Sequence, residues 1–289
     1  MSRRSRFHIG SLRRVPLHAL LVVLAAVWLL PTVGLFVTSF RTPQAVAQTG
    51  WWVCLAHPFA FTQYTLRNYG DVLTENGMGR AFLNSLSIAV PATVLPTLVG
   101  ALAAYAFAWM RFRGRRILFY VVVALMVVPL QMTFIPVLRA FSSLRIAGTF
   151  PAIWLAHAGY GLPLTVYLLH NFISALPKDL FDSAAIDGAS SLQVFAGIVL
   201  PLSVPAIASV VVFQFLWVWN DLLVALIYLG GAPNVGPVTL RVANLVGSRG
   251  QNWELLTASA FVSMALPLTV FLLLQRYFVR GILAGSVKG

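Results

Sequence analysis

Long apolar runs separated by short polar stretches dominate the chain. Six of these runs reach the length of about 20 residues that a helix needs to cross a bilayer. None of them contains a Lys or Arg before its last turn. The pattern predicts an all-α, polytopic membrane protein with six transmembrane helices. The predicted helices are Leu17–Phe40, Ala81–Met110, Ile117–Leu138, Phe150–Ile173, Leu202–Leu229 and Leu255–Phe278.

Prolines recur within these runs, at positions that would break a helix in water. In a membrane, packing against neighbouring helices satisfies the carbonyls that a proline frees, so each run is still predicted to be one span. The first run is also longer than the core of a signal peptide, which holds about 7–15 apolar residues. It is therefore predicted to be an uncleaved anchor. The internal prolines are Pro31, Pro91, Pro96, Pro129, Pro136, Pro163, Pro205 and Pro267.

The composition supports a membrane location. Of the 289 residues, 59% are hydrophobic and 9% are charged, against about 45–50% and about 25% in soluble domains. The net charge of +13 would suggest nucleic-acid binding in a soluble protein. Here the bases lie between apolar runs, so we interpret them as signals of topology and expect no nucleic-acid partner.

Clusters of arginine set the predicted orientation. Five arginines precede the first span, and four lie in the short loop between the second and third spans. Basic segments stay on the cytoplasmic side, and six crossings then place both termini in the cytoplasm. Arg139 and Arg145, in the predicted outer loop before the fourth span, oppose this orientation weakly. The predicted organisation is a basic tail at 1–16, a transmembrane domain at 17–280 and a tail at 281–289.

The predicted cytoplasmic loop at 174–201 has the pattern of two short amphipathic helices. Pro177 suits the first position of a helix, and Gly188 suits a position just beyond a helix end. Ser190 and Gln193 have the spacing of a capping box, which starts a second helix. The second helix carries one apolar face. That face is formed by Leu192, Phe195, Ile198 and Val199.

Two roles are compatible with this loop. In the first, the helices rest on the lipid surface; in the second, they dock a cytoplasmic partner protein. A helix that lies on lipid usually carries many Lys and Arg residues. This loop carries one base, Lys178, and three acids. The charge pattern therefore favours docking.

The loop resembles the EAA motif of ABC importer permeases. Asp182-Ser183-Ala184, Asp187-Gly188-Ala189 and Ile198-Val199-Leu200-Pro201 occur at the family spacing, with Asp and Ser in place of the usual Glu and Ala at the first two positions. The resemblance implies that the loop couples the permease to ATPase subunits. The residues implied in this coupling are Asp182, Ala184, Asp187, Gly188, Ala189, Phe195, Ile198, Leu200 and Pro201.

The likeness extends over nearly the whole chain, and it is to the smaller permease subunit of the maltose-type carbohydrate importers. Trp217-Val-Trp219-Asn220-Asp221 is similar to that family's Trp-Asn motif. The end of the chain, 277–289, resembles the family's tail, and the resemblance implies that Gly285 and Lys288 contact the ATPases. The segment 245–253 has a weaker likeness to alpha-glucoside permeases.

The resemblance also implies a set of partners in a bacterial-type cell membrane. These are a second permease subunit, two ATPase subunits, an external solute-binding protein, membrane lipid and a sugar. ATP and Mg²⁺ are expected on the ATPases, with no cofactor or metal on this chain. The sequence contains no phosphate-binding loop and no His-Glu-x-x-His or Cys-x-x-Cys, so no enzymatic activity is predicted. The alternative is a stand-alone secondary transporter or channel, which would need ion-coupling residues in the membrane.

Polar and aromatic residues near the fifth span are candidates for the sugar path. A carboxylate within a bilayer is costly, so Asp221 is expected to face a cavity or a partner. Aromatic rings suit the C–H faces of sugars. The alternative is a structural contact between helices with an interfacial Trp anchor. The candidates are Asp221, Asn220, Trp217, Trp219 and Gln131, followed by Asn84 and Asn171.

The remaining loops carry weaker indications. The outer loop at 41–80 is rich in aromatic residues, which predicts a folded segment resting on the membrane. The glycine-rich outer loop at 230–254 is either a flexible connection or a contact to the solute-binding protein. His157 and His170 are interpreted as packing residues rather than as a proton relay, and Cys54 as an ordinary loop residue.

Overall fold

The structure, a computed structural model, describes residues 15–232, 234–246 and 252–286. No β-strand occurs among these residues, which confirms the predicted all-α class. The α-helices are α1 (Val15–Ser39), α2 (Pro43–Gln48), α3 (Val53–Ala56), α4 (Arg67–Leu73), α5 (Met78–Trp109), α6 (Arg115–Ala124), α7 (Leu130–Ser143), α8 (Phe150–Ile173), α9 (Lys178–Ile186), α10 (Ser191–Val194), α11 (Val204–Asn220), α12 (Leu223–Leu229), α13 (Val238–Val246) and α14 (Trp253–Ser286). Shorter helical turns lie at Phe61–Gln63, Leu125–Val127, Phe195–Val199 and Leu200–Leu202.

The polytopic character of the chain is confirmed by the helices that could cross a membrane. Within the described residues, four helices are long and apolar enough to do so alone: α1, α5, α8 and α14. Two further pairs of helical segments reach this length only together, because each pair is bent. The bend is 104° between 115–127 and α7, and 75° between 191–202 and α11. Six crossings result if each bent pair counts as one.

The third predicted span is not one straight helix. The turn that follows α6 ends at Val127, and α7 begins at Leu130. Pro129 has no N–H to donate and disfavours the helical conformation of the residue before it. Val128 accordingly has φ −69° and ψ 118°. The expectation that membrane packing would absorb the proline was therefore wrong at Pro129, whereas Pro136 does lie inside α7.

The fifth predicted span, Leu202–Leu229, is also broken. Because α11 ends at Asn220 and α12 begins at Leu223, Asp221 lies at the break and not inside a helix. Its backbone is extended, with φ −71° and ψ 136°. Aspartate favours such a position because its carboxylate can accept N–H groups from the first turn of the next helix.

The chain divides into two compact units, and the first comprises residues 1–75 and 245–261. Within it, Arg41 is buried and donates hydrogen bonds to the carbonyl oxygens of Thr49 (2.8 Å) and Ala45 (2.9 Å). The Asn68 amide donates to the carbonyl oxygens of Ser39 (2.9 Å) and Arg41 (2.8 Å). The segment after α1 is therefore folded, as its aromatic content predicts.

The second unit comprises residues 76–244 and 262–289, and α5, α8 and α11 pack together in it. Small residues allow the close approach of these helices, as is common within membranes. A Cβ atom added at Gly161 would lie 2.3 Å from Oε1 of Gln214. The amide of Gln214 donates to the carbonyl oxygens of Ala92 (3.2 Å) and His157 (3.3 Å). One buried side chain thus joins all three helices.

Candidate functional site

The loop at 174–201 forms two helical arms around Gly188. The first arm, α9, begins after Pro177, so this proline lies just outside the helix and not at its first position. Gly188 has φ 72°, a left-handed conformation that glycine adopts at little cost. Ser190 and Gln193 form the predicted capping box: the Gln193 N–H donates to Ser190 Oγ (3.4 Å), and the Ser190 N–H donates to Gln193 Oε1 (2.8 Å). The bend and its two flanking helices are confirmed.

The inner side of the loop packs on the permease's own helices. Ala184, Val194 and Val199 belong to one buried apolar cluster that includes residues of α5, α8 and α11. The ring of Phe195 lies 5.7 Å from that of Tyr105 in α5. The loop is therefore fixed to the membrane helices along its length.

The apolar face predicted for the second arm is wrong at Leu192, which is 73% exposed. In a regular α-helix, Leu192 and Val199 are seven residues apart and would lie on one side. Here Phe195–Val199 form a wider π-helical turn, which contains more residues per turn than an α-helix. The turn rotates Val199 away from Leu192 and brings it to the same side as Val194.

The outer side of the loop exposes both apolar and acidic residues around the bend. Ile186 is 86% exposed and stands directly before it. Of the predicted coupling residues, Asp182, Asp187, Gly188, Leu200 and Pro201 are exposed, Ala189, Phe195 and Ile198 are half-buried, and Ala184 is buried. The exposed surface that a partner protein can reach therefore includes Ile186 and Leu192 together with Asp182 and Asp187.

A second polar site lies at the break between α11 and α12. The Asp221 carboxylate accepts hydrogen bonds from the N–H groups of Val224 (3.3 Å) and Ala225 (3.1 Å), which caps α12. Its Oδ2 lies 3.7 Å from Nε2 of His157 in α8. The Asp221 carbonyl accepts a hydrogen bond of 2.7 Å from the Thr239 hydroxyl. Asp221 therefore connects α8, α12 and α13 at the break.

The other residues predicted for the sugar path are spread over different environments. Trp217 is 38% exposed, and its indole meets the His157 ring edge to face at 5.1 Å. Asn220 is exposed and donates to the Leu216 carbonyl. Gln131 lies exposed at the start of α7.

Trp219 has no ring face available for a sugar in this conformation. It is 1% exposed, and its indole packs against Phe82 (5.3 Å) and Phe215 (5.6 Å). Its N–H donates to the Ser263 carbonyl at 3.0 Å. Trp219 therefore packs in the core, and of the two tryptophans only Trp217 has an accessible ring.

Asn84, a weaker candidate for the sugar path, and Ser85, which sequence reasoning missed, fix the chain before α13. The Asn84 amide donates to the carbonyl oxygens of Asn234 (3.0 Å) and Gly236 (3.1 Å). The Ser85 hydroxyl accepts from the Val238 N–H at 2.9 Å. Adjacent polar residues inside an apolar helix were the available signal.

Of the other predicted features, Gly285 lies in α14, whereas Lys288, the tail at 1–14 and the segment 247–251 are outside the described residues.

The bundle of membrane-capable helices, with its bent, surface-exposed loop, defines the class here as a polytopic α-helical membrane protein. The family described as the inner membrane component of binding-protein-dependent transport systems matches residues 96–284. The chain belongs to this family. It is thus a transport component, and neither an ATPase nor a stand-alone secondary transporter or channel.

Two named relatives are similar over most of this chain. The osmoprotective compounds uptake permease protein GgtD of Synechocystis sp. is 62% identical, over 96% of this chain and 93% of its own length. The alpha-glucoside transport system permease protein AglG of Rhizobium meliloti is 56% identical, over 78% of this chain and 61% of its own length.

Solved structures show the same fold. A chain of a bacterial ABC transporter that imports the acidic polysaccharide alginate superposes with a TM-score of 0.75, covering 94% of this chain and 98% of that one at 20% identity. A chain of a bacterial alginate ABC transporter in complex with an alginate pentasaccharide-bound periplasmic protein gives a TM-score of 0.63, covering 92% and 94% at 15% identity.

Proposed function

We propose that this chain is one of two permease subunits of an ATP-driven sugar importer and that its 174–201 loop docks a cytoplasmic ATPase. The observation that carries this proposal is the two-sided structure of the loop. Its inner side is packed on α5, α8 and α11 through a buried cluster. Its outer side exposes Ile186 by 86% and Leu192 by 73%. Large apolar side chains at such exposure suit a partner's groove.

The complete importer would contain a second permease, two ATPases that hold ATP and Mg²⁺, and an external solute-binding protein. Both termini of this chain would lie in the cytoplasm. Binding and hydrolysis of ATP would move the docked loops and shift the permeases between outward-open and inward-open states. The tail with Gly285 and Lys288 would add a second contact to the ATPases.

The substrate class we favour is alpha-glucosides, as in the name of the AglG relative. Trp217 supports a sugar, because an accessible indole beside the break at Asp221 offers a flat apolar surface. A second candidate is an osmoprotective compound, as in the name of the GgtD relative. Uptake of radiolabelled maltose, an alpha-glucoside, measured in competition with unlabelled osmoprotectants, would separate the two.

Docking is tested by replacing the exposed apolar pair. Ile186→Ser with Leu192→Ser should release the ATPase from the tagged permease during co-purification, because both side chains would lose the partner's groove. Leu144→Ser is the matched control, since Leu144 is 66% exposed at the end of α7. An ATPase that stays bound to the double variant would show that the loop is not the docking site.

A further inference from the structure

A basic groove lies beside the coupling loop, where α5 ends and α6 begins. Its volume is about 1120 Å³. The charged side chains that line it come from the connection at 111–114, from the start of α6 and from α9. They are Arg111, Arg113, Arg115, Arg116, Lys178 and Asp182. Positive charge near the end of a span sets topology, but topology alone does not require these side chains to line one groove.

The groove carries a large excess of positive charge. Asp182 is its single carboxylate and lies 3.3 Å from the ammonium group of Lys178. Arg115 donates to the Met110 carbonyl at 2.9 Å. Arg111, Arg113 and Arg116 are exposed and form no ion pair with any residue that the structure describes. An arginine guanidinium group can donate two parallel hydrogen bonds to the oxygens of one phosphate group. The positive charge of the groove therefore fits a phosphate ester.

The groove lies at the end of a helix that is long and apolar enough to cross a bilayer. Trp109 is the last residue of α5 and lines the groove. Its N–H donates to the Ile173 carbonyl at 2.9 Å, and its ring stacks on Phe181 of α9 at 3.7 Å. Tryptophan is enriched at the level of lipid headgroups. The four arginines follow this end of a membrane-capable helix, which is the level expected for lipid headgroups.

An exposed apolar strip continues from the groove along α6. Ile117 lines the groove itself and is 70% exposed, and Leu118 and Val121 are 50% and 53% exposed. These residues follow the arginines directly and belong to a segment that can cross the membrane. Cationic side chains followed by an apolar strip match a molecule with a phosphate head and an acyl chain. A free phosphate would use only the first half of this surface.

We propose that the groove binds an anionic phospholipid of the adjoining leaflet. Arg111, Arg113 and Arg116 hold its phosphate, and an acyl chain follows Ile117 and Leu118. The lipid would lie against the Trp109–Phe181 stack, which joins α5 to the first arm of the coupling loop. Binding requires that the chain spans a membrane and that the docked ATPase leaves the groove open, and it does not depend on the identity of the sugar.

Fluorescence of Trp109 tests this site in the complete transporter reconstituted into phosphatidylcholine vesicles. Brominated phosphatidylglycerol, added in rising fractions, should quench Trp109 saturably and beyond the quenching by brominated phosphatidylcholine. The Trp109 signal is the difference between the unmodified transporter and its Trp109→Phe variant. Replacing two phosphate-binding arginines by Arg113→Gln and Arg116→Gln should raise the half-saturating lipid fraction by roughly thirtyfold. The matched control with equal charge loss, Arg139→Gln with Arg145→Gln, should leave it unchanged.

Three results would overturn the proposal. The first is equal quenching by the two brominated lipids, which would show contact with bulk lipid only. The second is relief of the quenching by inorganic phosphate, which would assign the arginines to a free anion. The third is quenching that appears only after the ATPase subunits are removed, which would assign the groove to that partner. Because quenching requires neither sugar nor ATP, failure of this site leaves the proposed transport function untouched.

Discussion

Nε2 of His157 lies 3.7 Å from Oδ2 of Asp221, and both side chains are withdrawn from solvent, with 0% and 12% exposure. His157 belongs to α8, whereas Asp221 lies at the break between α11 and α12. The contact therefore joins a continuous helix to a discontinuous one. A break of this kind is a place where a membrane helix can change direction without losing buried hydrogen bonds, provided that a side chain caps the next segment.

Asp221→Ala should lower sugar uptake more than it lowers the yield of assembled complex. Loss of a helix cap costs about 1 kcal/mol, which is small against the packing of the surrounding helices. The same substitution removes the contact to His157 and frees the break. Asp221→Asn is the control, because its amide oxygen still accepts one of the two N–H groups. Uptake and yield are measured on the same membranes, and a parallel loss of both would indicate a purely structural contact.

Gly188→Val should uncouple the permease from its ATPase while leaving membrane insertion intact. The φ of 72° at Gly188 is costly for any residue with a Cβ, by about 1–2 kcal/mol, and more for a β-branched one. No atom lies within 4 Å of a Cβ at this position, so the effect comes from the backbone alone. Sugar-stimulated ATP hydrolysis in reconstituted vesicles is the measurement.

A pair of alanine variants isolates this backbone effect. Gly188→Ala should weaken ATPase binding by roughly fivefold to thirtyfold, the equivalent of about 1–2 kcal/mol. Gly197→Ala should leave binding unchanged, because Gly197 also has open space around it but no positive φ. Equal ATPase binding by the two variants would show that the backbone conformation at Gly188 is not needed for coupling.

Gly161→Ala should destabilise the second unit. The new methyl group would displace the Gln214 amide, which joins α5, α8 and α11. Burying the polar atoms of the Gln214 amide without hydrogen-bond partners costs about 1–3 kcal/mol. The control is Gly159→Ala on the same helix, where nothing lies within 4 Å of the added Cβ. Thermal unfolding of the purified complex should show a lower Tm for Gly161→Ala only, and an unchanged Tm would mean that Gln214 repacks freely.

The orientation predicts a cytoplasmic signal from a reporter fused after Gly289 and an external signal from one inserted near Gly236. This prediction rests on the arginines at 111–116 and at the start of the chain, because basic segments stay on the cytoplasmic side. Activity of an externally active reporter at Gly289 would contradict six crossings with both ends inside. Charge reversal of Arg139 and Arg145, the two bases that oppose the orientation, should leave both signals unchanged.

Features that depend on neighbouring residues in the sequence were predictable. Gly188, Ser190 and Gln193 specify a helix end and a helix start through local backbone chemistry, and the bend has the predicted form. Phe150–Ile173 was predicted at its observed bounds, because a long apolar run between polar segments leaves little choice.

Features that depend on distant packing were not predictable. Composition alone could not show that Pro129 breaks a span while Pro136 is accommodated, because only the surrounding helices decide where freed carbonyls find partners. Trp217 and Trp219 have the same chemistry and lie two positions apart on α11, yet only Trp219 is enclosed. The side of α10 that faces inward depends on the wider turn at Phe195–Val199, for which no local sequence rule exists.

The apolar cluster beneath the coupling loop has a mechanical consequence. Tightly packed interiors compress little and transmit displacement, and Ile173, in this cluster, lies on the same helix as His157. Sixteen residues separate them, about 24 Å along a straight helix. A displacement of the loop would therefore be transmitted along α8 as a rigid body and would move the Asp221 break by a similar distance. On the proposed docking, α8 alone would connect the loop to the Asp221 break.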